Sequence, residues 1–307
     1  MTVNRFAGAA SRALCLAAAV AVTGCEVNLN SEGIVSRETK TFKVAGIPEV
    51  QLDTFDGAIE VHSWDRNEVE VEVEKRAMEQ SLVDEMQVFV EQEGDKVIVK
   101  VTRPSRPEFD GVQIGVNFSP SARLRVALPR NSQLTATSGD GSITVEDVSG
   151  KITLTTSDGS VRGSRVSGEI LIRSGDGSIR LERAEGKLDL ETEDGSIGVE
   201  ARPTALRART ADGSIRLDVE PDTTMVEDWD VQTADGSVTL SLPGSFNAEL
   251  DAETRDGTVR ANHPAVSDES RSGEDREERR RTLKATLGSG GRTLKVRTGD
   301  GTIRIEN

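Results

Sequence analysis

Apolar residues stand in columns through the middle of the chain. Ile143, Val161, Ile179, Ile197 and Ile215 follow one another at intervals of 18 residues, and Val145, Gly163, Leu181, Val199 and Leu217 repeat the interval two positions later. Half a period on, Ile152, Ile170, Leu188 and Leu206 form a third column, and Leu154, Ile172, Leu190 and Ala208 a fourth. Between the first two columns the residues are polar or small: Thr144, Arg162, Arg180, Gly198 and Arg216. Alternation with period two predicts a short strand with one buried face for each half-repeat. Two strands and two turns make one coil, whose single apolar stripe per strand cannot be buried alone. Coils stacked at about 4.8 Å join those stripes into a continuous two-sided core. The pattern predicts an all-β chain, a β-solenoid of 18-residue, two-strand coils. Independent hairpins would not hold a constant interval, and propeller blades need about 40 residues.

The turns carry a second signature, Asp-Gly followed by Ala, Ser or Thr and then Ile or Val. It occurs at Asp56 and at Asp140–Gly141, Asp158–Gly159, Asp176–Gly177, Asp194–Gly195, Asp212–Gly213, Asp235–Gly236, Asp256–Gly257 and Asp300–Gly301. The other corner carries Gly150, Gly168 and Gly186. At both corners glycine is expected to supply a positive φ, where a β-branched residue would strain. The steps after Asp212 lengthen to 23, 21 and 44 residues, which predicts longer corners near Glu220–Asp230 and Gly244–Asn247. Arg202-Pro203-Thr204 replaces a glycine corner, and Gly163 leaves a gap in a core column.

Outside residues 138–307, the solenoid block, the alternation persists without the period. Residues 40–137 read as an irregular N-terminal β cap continuous with the solenoid, with a separate β-sandwich as the alternative. Strands are expected at Thr41–Ala45, Val50–Thr54, Ala58–His62, Glu68–Lys75, Gln87–Glu91, Lys96–Thr102, Val112–Phe118 and Arg123–Leu128, and a helical excursion at Ala77–Met86. A cap is needed physically, because an open solenoid end is an edge ready to aggregate. Residues 25–39 are polar and read as a tether. A charged loop spans 264–281. Eleven of the fourteen residues Asp268–Arg281 are charged, which reads as a solvated insertion rather than a docking loop. Thr282–Leu287, Thr293–Thr298 and Asp300–Ile303 then close the solenoid.

Composition narrows the functional classes. The formal charge is -15, which argues against a nucleic-acid partner and against basic adsorption to anionic lipid. Aromatics make up 3% of the chain and Tyr is absent, consistent with a thin aliphatic core. Residues 1–24 read as a signal peptide, with Arg5 and Arg12 before the apolar run Ala13–Val22, which is too short to span a bilayer. Its end, Val22-Thr23-Gly24-Cys25, resembles the lipobox of bacterial lipoproteins. The resemblance implies cleavage before Cys25, diacylglycerol on its thiol, and a chain anchored in the cell envelope. Glu26, where enteric lipoproteins kept at the inner membrane carry Asp, points by the same resemblance to the outer membrane. Removal of two Arg and no acid leaves 36 basic against 53 acidic residues, or -17. Cys25 is then the only cysteine, so an internal disulfide is excluded.

Signs of chemistry are few. An active site on a solenoid should break the repeat with unlike residues, and the breaks at Arg202-Pro203, at Glu227–Asp230 with Trp229, and in the charged loop do not combine His, Tyr and paired acids. His62 and His263 are far apart, and no phosphate loop or nucleophile elbow is spelled out. The stacked Asp column is the one feature that suggests a cation. Carboxylates about 5 Å apart repel by about 1 kcal/mol per pair in water. Either turn N–H groups offset this, as in Asx turns, or Ca2+ is shared between coils. Calcium-binding β-rolls have paired glycines before the Asp, which this chain lacks, so the turn reading is preferred and neither a metal nor another cofactor is assigned.

Thr-Xaa-Asp-Gly-Ser-Ile-Xaa-Leu at Thr210–Leu217, its Val variant at Thr233–Leu240, and the closing Leu-Gly-Ser-Gly-Gly and Thr-Gly-Asp-Gly-Thr-Ile at 287–291 and 298–303 carry a family resemblance. Over residues 40–307 the chain resembles the bacterial candidate-adhesin family, β-helical domains of unknown function on exported or membrane-anchored proteins. The resemblance implies no catalytic residues. The expected function is therefore a non-catalytic, lipid-anchored envelope protein that binds or scaffolds an envelope protein or polysaccharide through its solenoid surface. The alternatives are a sensing partner in envelope stress and a polysaccharide-active enzyme.

Overall fold

The computed structural model describes residues 21–30, 33–104, 119–266 and 278–307. The apolar columns become ladders of parallel, in-register pairs. On one side, the Asp-Gly face, Ile143 pairs with Val161, and Ile179, Ile197, Ile215 and Val238 follow in turn. On the opposite face Leu154 pairs with Ile172, followed by Leu190, Ala208 and Val231. Both ladders are buried in one aliphatic core that runs the length of the stack. Strands Ile179–Thr192 and Ile197–Thr210 turn the corner and serve both faces, so the solenoid is one continuous sheet. The gap at Gly163 is filled by its neighbours: a Cβ there would meet Leu181 Cδ2 at 2.6 Å. Trp229 is buried where the interval stretches to 23 residues, its ring 5.4 Å from that of Phe246, so it packs the core and offers no surface for stacking a sugar.

The two corners use glycine for different reasons. Gly150, Gly168 and Gly186 have φ of 139°, 114° and 108°, as expected of that column. Among the Asp-Gly corners Gly57 has a φ of 121°, as expected, but Gly141, Gly159, Gly177, Gly195 and Gly213 do not adopt positive φ, which corrects the expectation for the regular coils. Here the constraint is space. A Cβ on Gly177 would lie 2.0 Å from the carbonyl oxygen of Gly159, one coil below. The second corner instead stores positive φ in side-chain-bearing residues, Asp147 (59°), Arg165 (54°) and Arg183 (53°). Such a conformation costs roughly 1–2 kcal/mol per residue, and Arg165 offsets it by gripping Asp147 of the coil below at 2.7 Å with both Nε and Nη2. That pairing holds the Asp147 carboxyl below its usual range.

The coils are not stacked in chain order at the ends. Strand Glu49–Thr54 lies between Lys96–Val101 and Gln133–Ser138 on the opposite face, and Ile59–Trp64 lies between Ser121–Pro129 and Ile143–Glu146 on the Asp-Gly face. At the other end, Thr293–Glu306 lies between the coil of Trp229–Asp235 and Val238–Ser241 and the strand Ala248–Asn262. The last segment therefore does not close the stack as expected. It fills a slot inside it. Closure falls to antiparallel strands: Thr282–Leu287 against Ala248–Asn262, and Val88–Glu93 against Lys96–Val101. Helix Glu278–Arg281 takes up the end of the charged loop, whose residues 267–277 lie outside the described ones, as do the expected strand Val112–Phe118 and the signal segment up to residue 20.

The Asp-Gly face continues at the N-terminal end as an antiparallel meander. Glu68–Ala77 pairs with Ser121–Pro129, Gly33–Lys43 with Glu68–Ala77, and Ala21–Asn30 with Gly33–Lys43. The tether expected over 25–39 is thus corrected: its described residues, 25–30 and 33–39, are paired strand. The segment shows no period because it spends few apolar residues, yet Val35 and Phe42 are buried and Arg37 Nε donates to Glu74 at 2.8 Å. Helix Gln80–Glu85, inside the expected excursion, seats Val83 and Met86 on Ala77.

Glu74 is 4% exposed and faces Arg37, Arg76 and Arg125. Burial pushes its carboxyl up, but the Arg37 hydrogen bond and the surrounding arginines outweigh burial and hold it below the ordinary value of 4.5. A depressed folded value means stability that is full above the unfolded value and is lost as pH falls through the folded one. Glu74→Gln is expected to cost about 1 kcal/mol at pH 7, discounted for its partly exposed partners. The gap to wild type should close below pH 4 in urea titrations.

Candidate functional site

The Asp-Gly corner is the most regular surface of the molecule. Asp140, Asp158, Asp176, Asp194, Asp212, Asp235, Asp256 and Asp300 all lie exposed along one edge. The turn acceptor expected of these carboxylates is a different group. The hydroxyl two residues earlier does that work: Gly141 N–H donates to Ser138 Oγ at 3.1 Å, Gly159 to Thr156 at 3.2 Å, Gly177 to Ser174 at 3.1 Å, and Gly195 to Thr192 at 3.3 Å. Each hydroxyl also donates to the glycine carbonyl one coil below, Thr156 to Gly141 at 3.0 Å and Thr192 to Gly177 at 3.0 Å. The same downward bond recurs from Thr233 to Gly213, from Thr298 to Gly236, and from Thr254 to Gly301. These hydroxyls are buried and knit successive turns together. The signal was in the sequence, as the Thr or Ser two residues before each Asp.

The Asp column points to solvent. Among the described residues, no group of three or more His, Cys, Asp or Glu is placed to hold a metal ion. The column's repulsion shows at its buried end: burial, and then the charge of Asp140, push the half-buried Asp56 carboxyl above its usual value. His62 and His263 lie at opposite ends of the stack. His62 pairs in register with Glu146, and His263 is buried with Nδ1 accepting from Ala265 N–H at 3.2 Å.

Beside the corner, on the opposite face, runs a groove. One stretch of about 490 Å³ is lined by Glu191, Glu193, Arg209, Gln232 and Arg297, with the backbone of neighbouring turns. A second of about 430 Å³ shares Glu191 and Glu193 and continues past Arg173 to Asp158. Together they cover six rungs, from Thr156 to Thr298, or about 25 Å at sheet spacing. The wall is the outward column Arg173, Glu191, Arg209, which alternates in sign and is continued by Gln232, Arg297 and Glu253. Arg173 pairs with Glu191 at 3.1 Å, and Arg297 with Glu253 at 3.3 Å. Arg209 turns from Glu191 to Asp230, and its Nε has no acceptor among the described residues. Gln232 stands where strict alternation would put an acid, so two arginines flank a neutral amide.

The profile of the Toastrack DUF4097 family matches residues 47–306. Among solved structures, a candidate adhesin of Parabacteroides merdae is 8% identical, covering 88% of this chain and 96% of that one, with a TM-score of 0.42. A candidate lipid-binding protein of Parabacteroides distasonis is 12% identical over 88% and 97%, with a TM-score of 0.41. A candidate adhesin of Bacteroides fragilis is 12% identical over 88% and 96%, with a TM-score of 0.38. No curated protein matches the chain. With the family profile spanning the whole stack, from the slotted first coil to the slotted last one, the chain belongs to the Toastrack DUF4097 family, a domain of unknown function.

Proposed function

We propose that the protein is a non-catalytic, adhesin-like binding or scaffolding module, exported and held at the outer membrane through a lipid on Cys25. The corner groove carries this reading. It offers the same backbone floor and hydroxyl-knit turns on six successive rungs, which suits an extended protein segment or polysaccharide lying along the stack. Gln232, between two arginines, supplies polar contacts without the unlike acid pair a hydrolase would need. The paired strand Ala21–Asn30 supports a short attachment, since it brings position 25 onto the domain itself.

In detergent phase partition of the full-length protein made in a bacterial host, wild type is expected in the detergent phase and Cys25→Ala in the aqueous phase. A photo-cross-linker at position 232 in intact cells is expected to capture an envelope polymer or protein, and one at position 84 on helix Gln80–Glu85 is not. Absence of any adduct from position 232 would remove the groove. Product release from an envelope polysaccharide that a single carboxylate substitution abolishes would make the protein an enzyme.

A further inference from the structure

On the outward side of the Asp-Gly face, arginines stack with no acid between them. Arg162, Arg180, Arg216, Arg304 and Arg260 share one column in that order, with Gly198 between the second and third and Thr239 between the third and fourth. Like charges on adjacent strands destabilise a sheet, and the other face avoids them by alternating sign. Register does not demand this column either, since Gly198 and Thr239 occupy it equally well. Arg180 and Arg216 are 68% and 64% exposed and reach an acid on their own strand, Glu182 at 2.8 Å and Asp218 at 3.4 Å. Arg162, Arg260 and Arg304 are exposed, and no described residue makes an ion pair with them.

A second column borders the arginines. Ser160, Ser178, Ser196, Ser214 and Ser237 lie two residues before each rung's arginine column and stack on one another, their carbonyls accepting from the strand below. All five are solvent-accessible. The surface is thus a hydroxyl stripe beside a guanidinium stripe, bounded beyond by Glu182, Glu200 and Asp218.

We infer that this face binds a linear carboxylated polysaccharide laid along the stack. Guanidinium forks match carboxylates bidentately, and serine hydroxyls can both donate to and accept from sugar hydroxyls. Arg180, Arg216 and Arg304 are two rungs apart, about 10 Å, so alternate acidic sugars of a polyuronate can each meet a guanidinium while the sugars between them pass the small side chains of Gly198 and Thr239. The acidic stripe confines the polymer to the arginine and serine columns. A single-stranded nucleic acid fits less well, because neither column offers an aromatic side chain for base stacking. This surface is separate from the corner groove and does not depend on it.

The test is affinity electrophoresis of the full-length protein through gels containing polygalacturonate, with dextran as the neutral control. Wild type is expected to be retarded by polygalacturonate alone, less so as salt rises. Arg180→Gln with Arg216→Gln and Arg304→Gln should weaken retention by at least about tenfold, because three anionic contacts are lost. The charge-matched variant Lys96→Gln with Lys100→Gln and Lys284→Gln, on the opposite face, should stay within about twofold of wild type. Both variants should keep the wild-type melting temperature within a few degrees. No retardation of wild type, equal loss in both variants, or retardation by single-stranded DNA in place of polygalacturonate would each overturn the inference.

Discussion

Gly177→Ala is expected to destabilise the protein by about 3 kcal/mol or more, at the upper end of overpacking costs, whereas Gly198→Ala should be neutral or stabilising. A methyl on Gly177 would lie 2.0 Å from the Gly159 oxygen, 2.4 Å from its carbonyl carbon and 2.8 Å from Ser160 N, all of them backbone. A flexible side chain could swing away from such a contact, but a carbonyl locked into the rung below cannot. Relief requires the two coils to part, which breaks the ladder on both faces. Gly198 lies one coil on, in mid-strand, with nothing within 4 Å of its would-be Cβ. There alanine removes unfolded-chain entropy worth roughly 0.5–1 kcal/mol. Urea unfolding followed by tryptophan fluorescence would separate the two. Similar midpoints for both variants would show that the corner spacing is looser than described.

Thr192→Val should cost about 2–3 kcal/mol, because it leaves two backbone groups buried without partners. The hydroxyl accepts from Gly195 N–H at 3.3 Å and shares its proton between Gly175 O at 2.8 Å and Gly177 O at 3.0 Å, the second of which has no backbone donor of its own. Valine matches threonine in shape, so packing is kept and only the polar links are lost. Thr192→Ser should restore most of the stability, as Ser138 and Ser174 already fill the same position in other coils. A valine variant as stable as the serine one would mean that the hydroxyl ladder follows the fold rather than holding it.

The repeat was legible because one physical requirement, an apolar residue at every second position of every coil, is imposed again on each rung. That is why the columns from Ile143 to Ile215 and from Ile152 to Leu206 read directly as strands. The hydroxyl ladder was spelled out just as regularly, but a polar column has two readings, surface or buried link, and only burial decides between them. The Asp-Gly glycines misled for a related reason: composition marks where a Cβ is forbidden without saying whether dihedral or neighbour forbids it. The slotted end coils were illegible because parallel, in-register strands present the same column whatever their order. Ile303 meets Val238 and Val259 as well as either would meet the other. Arg162, Arg180 and Arg216 stood in one column of the repeat, but the groove and the continuation of that column through Thr239 to Arg304 and Arg260 depend on which strands lie side by side, and that is known only once the stack is built.

The slotted ends also bear on how the molecule comes into being. A solenoid wound in chain order can grow rung by rung as it is synthesised, each new coil finding a finished edge. Here Thr293–Glu306 is synthesised after both of its neighbours, and its place lies between them. Until then the Val238–Ser241 strand and the Ala248–Asn262 strand each hold a bare edge facing a gap one strand wide. Assembly of the stack therefore includes a late locking step that needs the chain through residue 306, and a product truncated before residue 293 keeps two sticky edges in place of one short coil.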